Sequence, residues 1–254
     1  MLDRLLSRAG DTLHTWADLV VPSPCAGCEG AAPFTGVCAG CASALADRPG
    51  PTRPTPAPDG LPPCLTLGEY RAVLRELILG YKERDRRRLV APLGDALAGV
   101  VLAGLPPRSA RGVVLVPVPA TGAAIRARQG DHMLRLARRA ARRLREACPT
   151  TVAPVLRALP KEDSAHLDRH ARARVALGSF TARRGADRIG RGDLVVVVDD
   201  VITTGSTVAA VTTRLAERGV VVAFAASLAA TRLRRVGSLA PNEAIPWDGS
   251  WNWG

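Results

Sequence analysis

Leu194-Val195-Val196-Val197-Val198-Asp199-Asp200-Val201-Ile202-Thr203-Thr204-Gly205-Ser206-Thr207 is the stretch from which the rest of the chain can be read. Its continuous β-branched opening is the pattern of a strand covered on both faces, as in the middle of a parallel sheet. Two adjacent carboxylates follow, at the carboxyl end of the strand, where open α/β sheets bind ligands. Next comes a turn of small residues that lets the backbone approach a ligand and presents several hydroxyls. The helix read over 205–218 aims unpaired N–H groups, and roughly half a positive charge, at that turn. The pattern describes a phosphate cradle beside two hydroxyl acceptors. A sugar phosphate satisfies both halves, with its 5′-phosphate in the turn and vicinal ribose hydroxyls donating to Asp199 and Asp200. A capped helix after a strand also uses Asp and Thr, but it requires neither paired carboxylates nor the whole small-residue turn. A Walker loop and a dinucleotide fingerprint are excluded, because Gly-x4-Gly-Lys-Ser/Thr and Gly-x-Gly-x-x-Gly are both missing.

Outward from this segment, strand-like and helical runs alternate: Val113 to Val118, a helix over 131–147, Val152 to Leu156, Leu194 to Val198, the helix over 205–218, and Val220 to Ala226. The alternation predicts an α/β fold with a mostly parallel sheet flanked by helices. Upstream, the apolar stretch Cys64 to Tyr70 precedes a helical pattern in which Val73, Leu74, Leu77, Ile78 and Tyr81 share a face. That helix runs into the charged stretch Gly80 to Arg88, which reads as solvated surface. Before it, residues 49–63 hold seven prolines in fifteen positions. They predict a semi-rigid linker without helix or ladder hydrogen bonds.

Four of the six cysteines, Cys25, Cys28, Cys38 and Cys41, form Cys-x2-Cys-x9-Cys-x2-Cys. Paired thiolate knuckles of this kind suit one tetrahedral zinc ion, which leaves no open coordination position and so has a structural role. Two disulfides would need an oxidising compartment, and a redox pair would usually sit in a βαβ setting. In the preceding segment Leu2, Leu5, Leu6, Leu13, Trp16 and Val20 recur at helical spacing. The expected organisation is residues 1–48 as N-terminal helix and zinc element, 49–63 as linker, 64–230 as the main domain and 231–254 as a tail. Trp247, Trp251 and Trp253 in that tail suggest docking onto the body or onto a partner.

The 254 residues are 47% hydrophobic, which argues against global disorder, and carry a formal charge of +12. No apolar run reaches the ~18 residues of a spanning helix, and charges interrupt the first residues where a signal peptide has its apolar core. The expectation is a cytoplasmic protein without membrane insertion. The basic surplus attracts anions, but all but two of the 35 basic residues are Arg, so part of it reflects composition. Arg135, Arg138, Arg139, Arg142, Arg143 and Arg145 coat the helix over 131–147, opposite Met133, Leu136, Ala140 and Leu144. That face is either an ordinary solvated one or a contact for the phosphate backbone of DNA.

Val195 to Thr207 resembles the phosphoribosyl-pyrophosphate signature of type I phosphoribosyltransferases. Residues 20 to 230, roughly, resemble one branch, the ComF family of competence-associated proteins, which join a four-cysteine zinc element to a phosphoribosyltransferase-like domain. The likeness rests on the cysteine quartet, Leu115-Val116-Pro117-Val118-Pro119, Arg126-Ala127-Arg128-Gln129-Gly130, and Arg172 through Gly178-Ser179-Phe180. It implies binding of phosphoribosyl pyrophosphate with magnesium and transfer of the phosphoribosyl group to an acceptor. By the same likeness Asp199 and Asp200 hold the ribose, while Thr203, Thr204, Gly205, Ser206 and Thr207 hold the 5′-phosphate. Arg126 and Arg128 meet the pyrophosphate, with Lys82 and Arg84 as weaker candidates. The alternative it implies is a non-catalytic accessory of DNA uptake, with DNA or competence-machinery proteins as partners. The family's Arg-Gly-Phe-Asn-Gln stands here as Arg128-Gln129-Gly130-Asp131-His132, and its later Asn as Val175, so the acceptor side departs from the pattern. His132 and His166 fall in segments resembling active-site loops.

Overall fold

The computed structural model describes residues 23–106, 112–160, 178–183, 185–186, 189 and 192–231. The readings made for the helix over Leu2 to Val20, for His166, Arg172 and Val175, and for the tryptophan tail lie outside these residues. In chain order the elements are β1 (Ser23–Pro24), β2 (Ala31–Ala32), α1 (Ala39–Ala42), β3 (Gly50–Thr52), β4 (Cys64–Glu69), α2 (Ala72–Glu83) and α3 (Val90–Ala103). There follow β5 (Val113–Pro117), α4 (Gly122–Ala127), α5 (His132–Leu144), β6 (Thr150–Val152), β7 (Leu156–Ala158), β8 (Phe180–Ala182), β9 (Leu194–Ile202), α6 (Ser206–Ala216) and β10 (Val222–Ala230).

Six strands form the main sheet in the order β3-β4-β10-β9-β5-β6. All neighbours pair in parallel except β3 and β4. β9 lies near the middle, and Val195, Val196, Val197 and Val198 are buried, as their unbroken β-branched run requires. Alternation along the strand sends Val196 and Val198 toward α2, α3 and α5, where they join Leu77, Leu93, Leu97, Leu136 and Leu228. Val195 and Val197 turn to the other face and pack with Val208, Val211 and Leu215 of α6.

Four local readings are corrected. β9 continues through Ile202, because Asp199 still pairs with Ser227 and Val201 with Ala229 on β10, so the carboxylates lie within the strand's second half and not after it. The run read as one strand over Val152 to Leu156 is two. β6 stays in the main sheet, Pro154 has no N–H to continue the ladder, and β7 leaves to pair antiparallel with β8. The proline-rich segment does carry ladder hydrogen bonds: β3 pairs Gly50, Pro51 and Thr52 with Thr66, Leu65 and Cys64 at the sheet edge, where proline is tolerated.

The fourth correction is an addition, the helix α3. Leu93, Ala96, Leu97, Val100 and Val101 give it a buried face at helical spacing. Gly94 lets it lie against α5, since a Cβ at that position would stand 2.6 Å from Arg139 Cβ. With the two helices that close, the Arg139 guanidinium forks onto both oxygens of Asp95 at 2.7 and 2.6 Å. The four-cysteine segment packs on the same side of the sheet. Cys25, Ala26, Val37 and Cys41 belong to one apolar core with Leu74, Leu77 and Leu89.

Candidate functional site

β5 and β9 run parallel and adjacent, so the segments leaving them, Val118 to Thr121 and Thr203 to Thr207, emerge on the same end of the sheet. Between them opens a cleft of about 470 Å³, walled by α2 and α5 on one side and by the β7–β8 pair on the other. Asp199, Asp200, Thr203, Thr204, Ser206, Thr207 and Arg128 all line it. Gly205 stands behind the lining at the start of α6. Arg126 lies exposed on α4 and is not part of the cleft wall.

The turn is held in the form an anion site needs. Gly205, with φ +76° and ψ −4°, precedes α6 and provides no side-chain cap, so the first turn of the helix keeps N–H groups directed outward. Thr204 Oγ1 lies 3.0 Å from Ser206 Oγ and 3.4 Å from Ser206 N, which folds the turn on itself. Behind it Leu61 and Pro54 fill the space beside Gly205. The proline-rich segment therefore braces the turn. Across the cleft, Thr121 caps α4 by accepting from Ala124 N at 3.2 Å.

The two carboxylates differ. Asp199 Oδ1 accepts from Asp200 N at 2.9 Å. Burial, reinforced by the neighbouring Asp200 charge, pushes its carboxyl well above the usual carboxylate range. Burial acts in the same direction on Asp200 but is outweighed there by the His132 hydrogen bond and the Lys82 ammonium, which hold it below that range. Asp200 Oδ2 lies 2.6 Å from Lys82 Nζ and 3.3 Å from His132 Nε2, and Asp200 Oδ1 accepts from Val201 N at 2.8 Å. His132 opens α5, whose cap Asp131 accepts from Leu134 N at 3.0 Å. Tyr81 donates its hydroxyl to the His132 carbonyl at 3.0 Å, and burial pushes that phenol up to about 12.

Lys82, by sequence a weaker candidate than the arginines, and His132 both meet Asp200. A second recess of about 190 Å³ adjoins the cleft and shares Lys82, Arg128 and His132 with it. Arg84, the other weak candidate, pairs with Glu76 at 3.1 Å. Arg128 pairs with Glu83 at 2.8 Å and still borders both spaces. On the arginine-rich helix α5, Met133, Leu136, Ala140 and Leu144 are buried as their spacing predicts. Arg139 is taken by Asp95, Arg135 by the Gln129 carbonyl, Arg143 by Glu146 and Arg145 by the Thr150 carbonyl.

The four cysteines meet. Their sulfurs all lie within 4.8 Å of one another, and Cys28 and Cys38 are 3.7 Å apart. Thiolates bound to tetrahedral zinc at ~2.3 Å stand about 3.8 Å from each other, so the donor set and its spacing fit a zinc ion. Cys25 is prepared as a ligand: burial raises its thiol, but backbone N–H groups of Cys38, Gly27 and Cys28 outweigh this and bring it down to about 6. Cys64 and Cys148 are free thiols away from this cluster, and burial pushes Cys64 up to about 12.

Among the described residues no helix is long and apolar enough to cross a membrane. Neither a protein-family model nor a curated protein matches the chain, which leaves its functional reading to the cleft and to the motifs that build it.

Proposed function

We propose that the protein has a type I phosphoribosyltransferase fold, binds phosphoribosyl pyrophosphate with magnesium in this cleft, and transfers the phosphoribosyl group to an acceptor. The observation that carries the reading is that Asp199 and Asp200 line one cleft with Thr203, Thr204, Ser206 and Thr207, at the carboxyl end of a central parallel strand. The 5′-phosphate sits at the start of α6, accepting from backbone N–H groups and from the hydroxyls of the turn. The ribose hydroxyls donate to the two carboxylates. The pyrophosphate lies toward the Val118 to Thr121 turn and Arg128.

In the reaction a nucleophile forms a bond to the ribose anomeric carbon as that carbon's bond to the pyrophosphate oxygen breaks, and the electron pair leaves with pyrophosphate. Arg128 and Lys82 stabilise the growing charge on the leaving group. The hard carboxylate oxygens of Asp199 and Asp200 fit magnesium, which when bound would offset negative charge on the leaving group.

Calorimetry with phosphoribosyl pyrophosphate and magnesium tests the reading, comparing the wild type with the double variant Asp199→Ala, Asp200→Ala. Binding by the wild type and its loss in the variant are expected. Equal binding by both, or binding by neither, overturns the proposal.

A further inference from the structure

Of the 35 basic residues in the chain only Lys82 and Lys161 are lysines. A chain so biased toward arginine places a lysine in its cleft, against the Asp200 carboxylate at 2.6 Å. The two side chains differ in what they can do there. A guanidinium is a planar fork that fixes one geometry, whereas an ammonium is compact, carries three donors and swings on a flexible four-carbon stem.

The oxygen of Asp200 that Lys82 occupies is not free for a ribose hydroxyl while Lys82 stays where it is. One oxygen accepts from Val201 N, and the other is shared by Lys82 Nζ and His132 Nε2. Two of these three partners are fixed. Val201 N belongs to the sheet, and His132 is the buried first residue of α5, with its carbonyl held by Tyr81. Lys82 is the partner that can leave. Its side chain is 29% exposed, against 7% for Asp200, and it borders both the main cleft and the recess that Arg128 also lines.

We propose that Lys82 is the cation that receives the leaving pyrophosphate and that it rests on Asp200 until that anion arrives. That oxygen of Asp200 then accepts a ribose hydroxyl only once the pyrophosphate end of the ligand has drawn Lys82 away. His132 stays behind as the donor that keeps the carboxylate oriented. The inference rests on the sugar-pyrophosphate reading above and adds an order to it: the diphosphate end prepares the ribose end.

Two measurements test this. Calorimetry compares phosphoribosyl pyrophosphate plus magnesium with ribose 5-phosphate, on the wild type, Lys82→Ala and Lys82→Arg. Losing a charge-assisted contact to the diphosphate weakens phosphoribosyl pyrophosphate binding by about tenfold to a hundredfold in Lys82→Ala. Ribose 5-phosphate, which lacks the diphosphate, binds that variant as well as it binds the wild type, or better. Lys82→Arg does not restore the loss. In the wild-type protein with lysine labelled at Cε, the chain gives two lysine signals, and the one missing from Lys82→Arg is Lys82. Phosphoribosyl pyrophosphate moves that signal, and ribose 5-phosphate does not. Equal loss of both ligands in Lys82→Ala, or a Lys82 signal unmoved by phosphoribosyl pyrophosphate that binds, overturns the assignment and leaves the binding reading standing. A wild-type protein that binds neither ligand overturns both.

Discussion

Gly205→Ala separates what the backbone of the turn requires from what its side chains supply. Gly205 occupies the left-handed region at φ +76°, which costs a residue with a Cβ about 1–2 kcal/mol. The added methyl would also stand 3.0 and 3.2 Å from the two Leu61 methyls and 3.3 Å from Pro54 Cγ. Leu61 can rotate away and proline cannot, so the steric part adds up to about 1 kcal/mol. The sum, about 1–3 kcal/mol, corresponds to a fall in melting temperature of about 2–12 °C for a chain of this size. Gly99→Ala is the control, because Gly99 lies in α3 with nothing within 4 Å of the added carbon. That change should stabilise by about 0.5–1 kcal/mol through helix propensity alone. Urea unfolding of the two variants beside the wild type gives both numbers. A loss below about 0.5 kcal/mol in Gly205→Ala would refute the claim that the turn is held in a glycine-only conformation. If the variant folds, weaker binding of inorganic phosphate than in Gly99→Ala follows from the displaced N–H groups.

The other expectations concern the carboxylates, the cysteines and the helix pair. Asp200 titrates below its unfolded value, so its contribution to stability is present above about pH 4 and lost as pH falls through its lowered value. Asp199 titrates above its unfolded value, so its contribution is present in acid and lost as pH rises through the raised value. Melting curves between pH 3 and 9 should therefore show Asp200→Asn falling furthest below the wild type at neutral pH. The same curves should show Asp199→Asn gaining on the wild type as pH rises, and parallel curves for all three would contradict the assignment. Purified protein should hold one zinc per chain by metal analysis, and Cys41→Ser, which puts a hydroxyl in a thiolate's place, should abolish that stoichiometry and lower the melting temperature. Gly94→Ala, favourable by helix propensity, should instead destabilise by about 1–3 kcal/mol because the added carbon meets the Cβ of Arg139; stabilisation in urea would mean that α3 and α5 do not pack this closely.

How much the sequence discloses depends on the range over which each signal acts. Strand β9 and helices α2 and α5 are legible because an unbroken valine run and a 3.6-residue spacing are local patterns. The cysteine quartet is legible because two Cys-x2-Cys pairs are a local pattern, and the fold brings their sulfurs together. Helix α3 is masked by Pro92, Gly94 and Gly99 and by the charged run before it, although Leu89, Leu93, Leu97, Val100 and Val101 carry the period. The edge strand β3 is hidden because proline content argues against a ladder, while a sheet edge tolerates it. The partners of Asp200 could not be read locally at all. His132 lies 68 residues from it in the chain, and what joins them is tertiary: α5 begins with His132 beside the carboxyl end of β9, and α2 ends next to both. The arginine bias of the chain did hold a clue, since one of its two lysines stands in the cleft.

The same helix α2 ties the four-cysteine element to the cleft. On its outer side α2 rests on the cysteine knuckle. Ala26 approaches Gly80, with its Cβ 3.5 Å from where a Gly80 side chain would begin, and Val73 lies beside Gly27. Arg86 donates to the Pro24 carbonyl at 3.4 Å, and the Arg88 guanidinium covers the Phe34 ring at 3.8 Å. On its inner side, one residue past Gly80, Tyr81 holds the His132 carbonyl, and the next residue, Lys82, reaches Asp200. The knuckle has β1 and β2 strands of two residues each and one short helix, too little regular structure to hold itself without the metal. Removing the metal should thus loosen the end of α2 that carries Tyr81 and Lys82 before it disturbs β9, whose valines are buried in the sheet. A chelator should therefore raise hydrogen exchange at residues 78–88 while the amides of β9 stay protected, and simultaneous exposure of both would show that the knuckle supports the whole fold and not this one edge of the cleft.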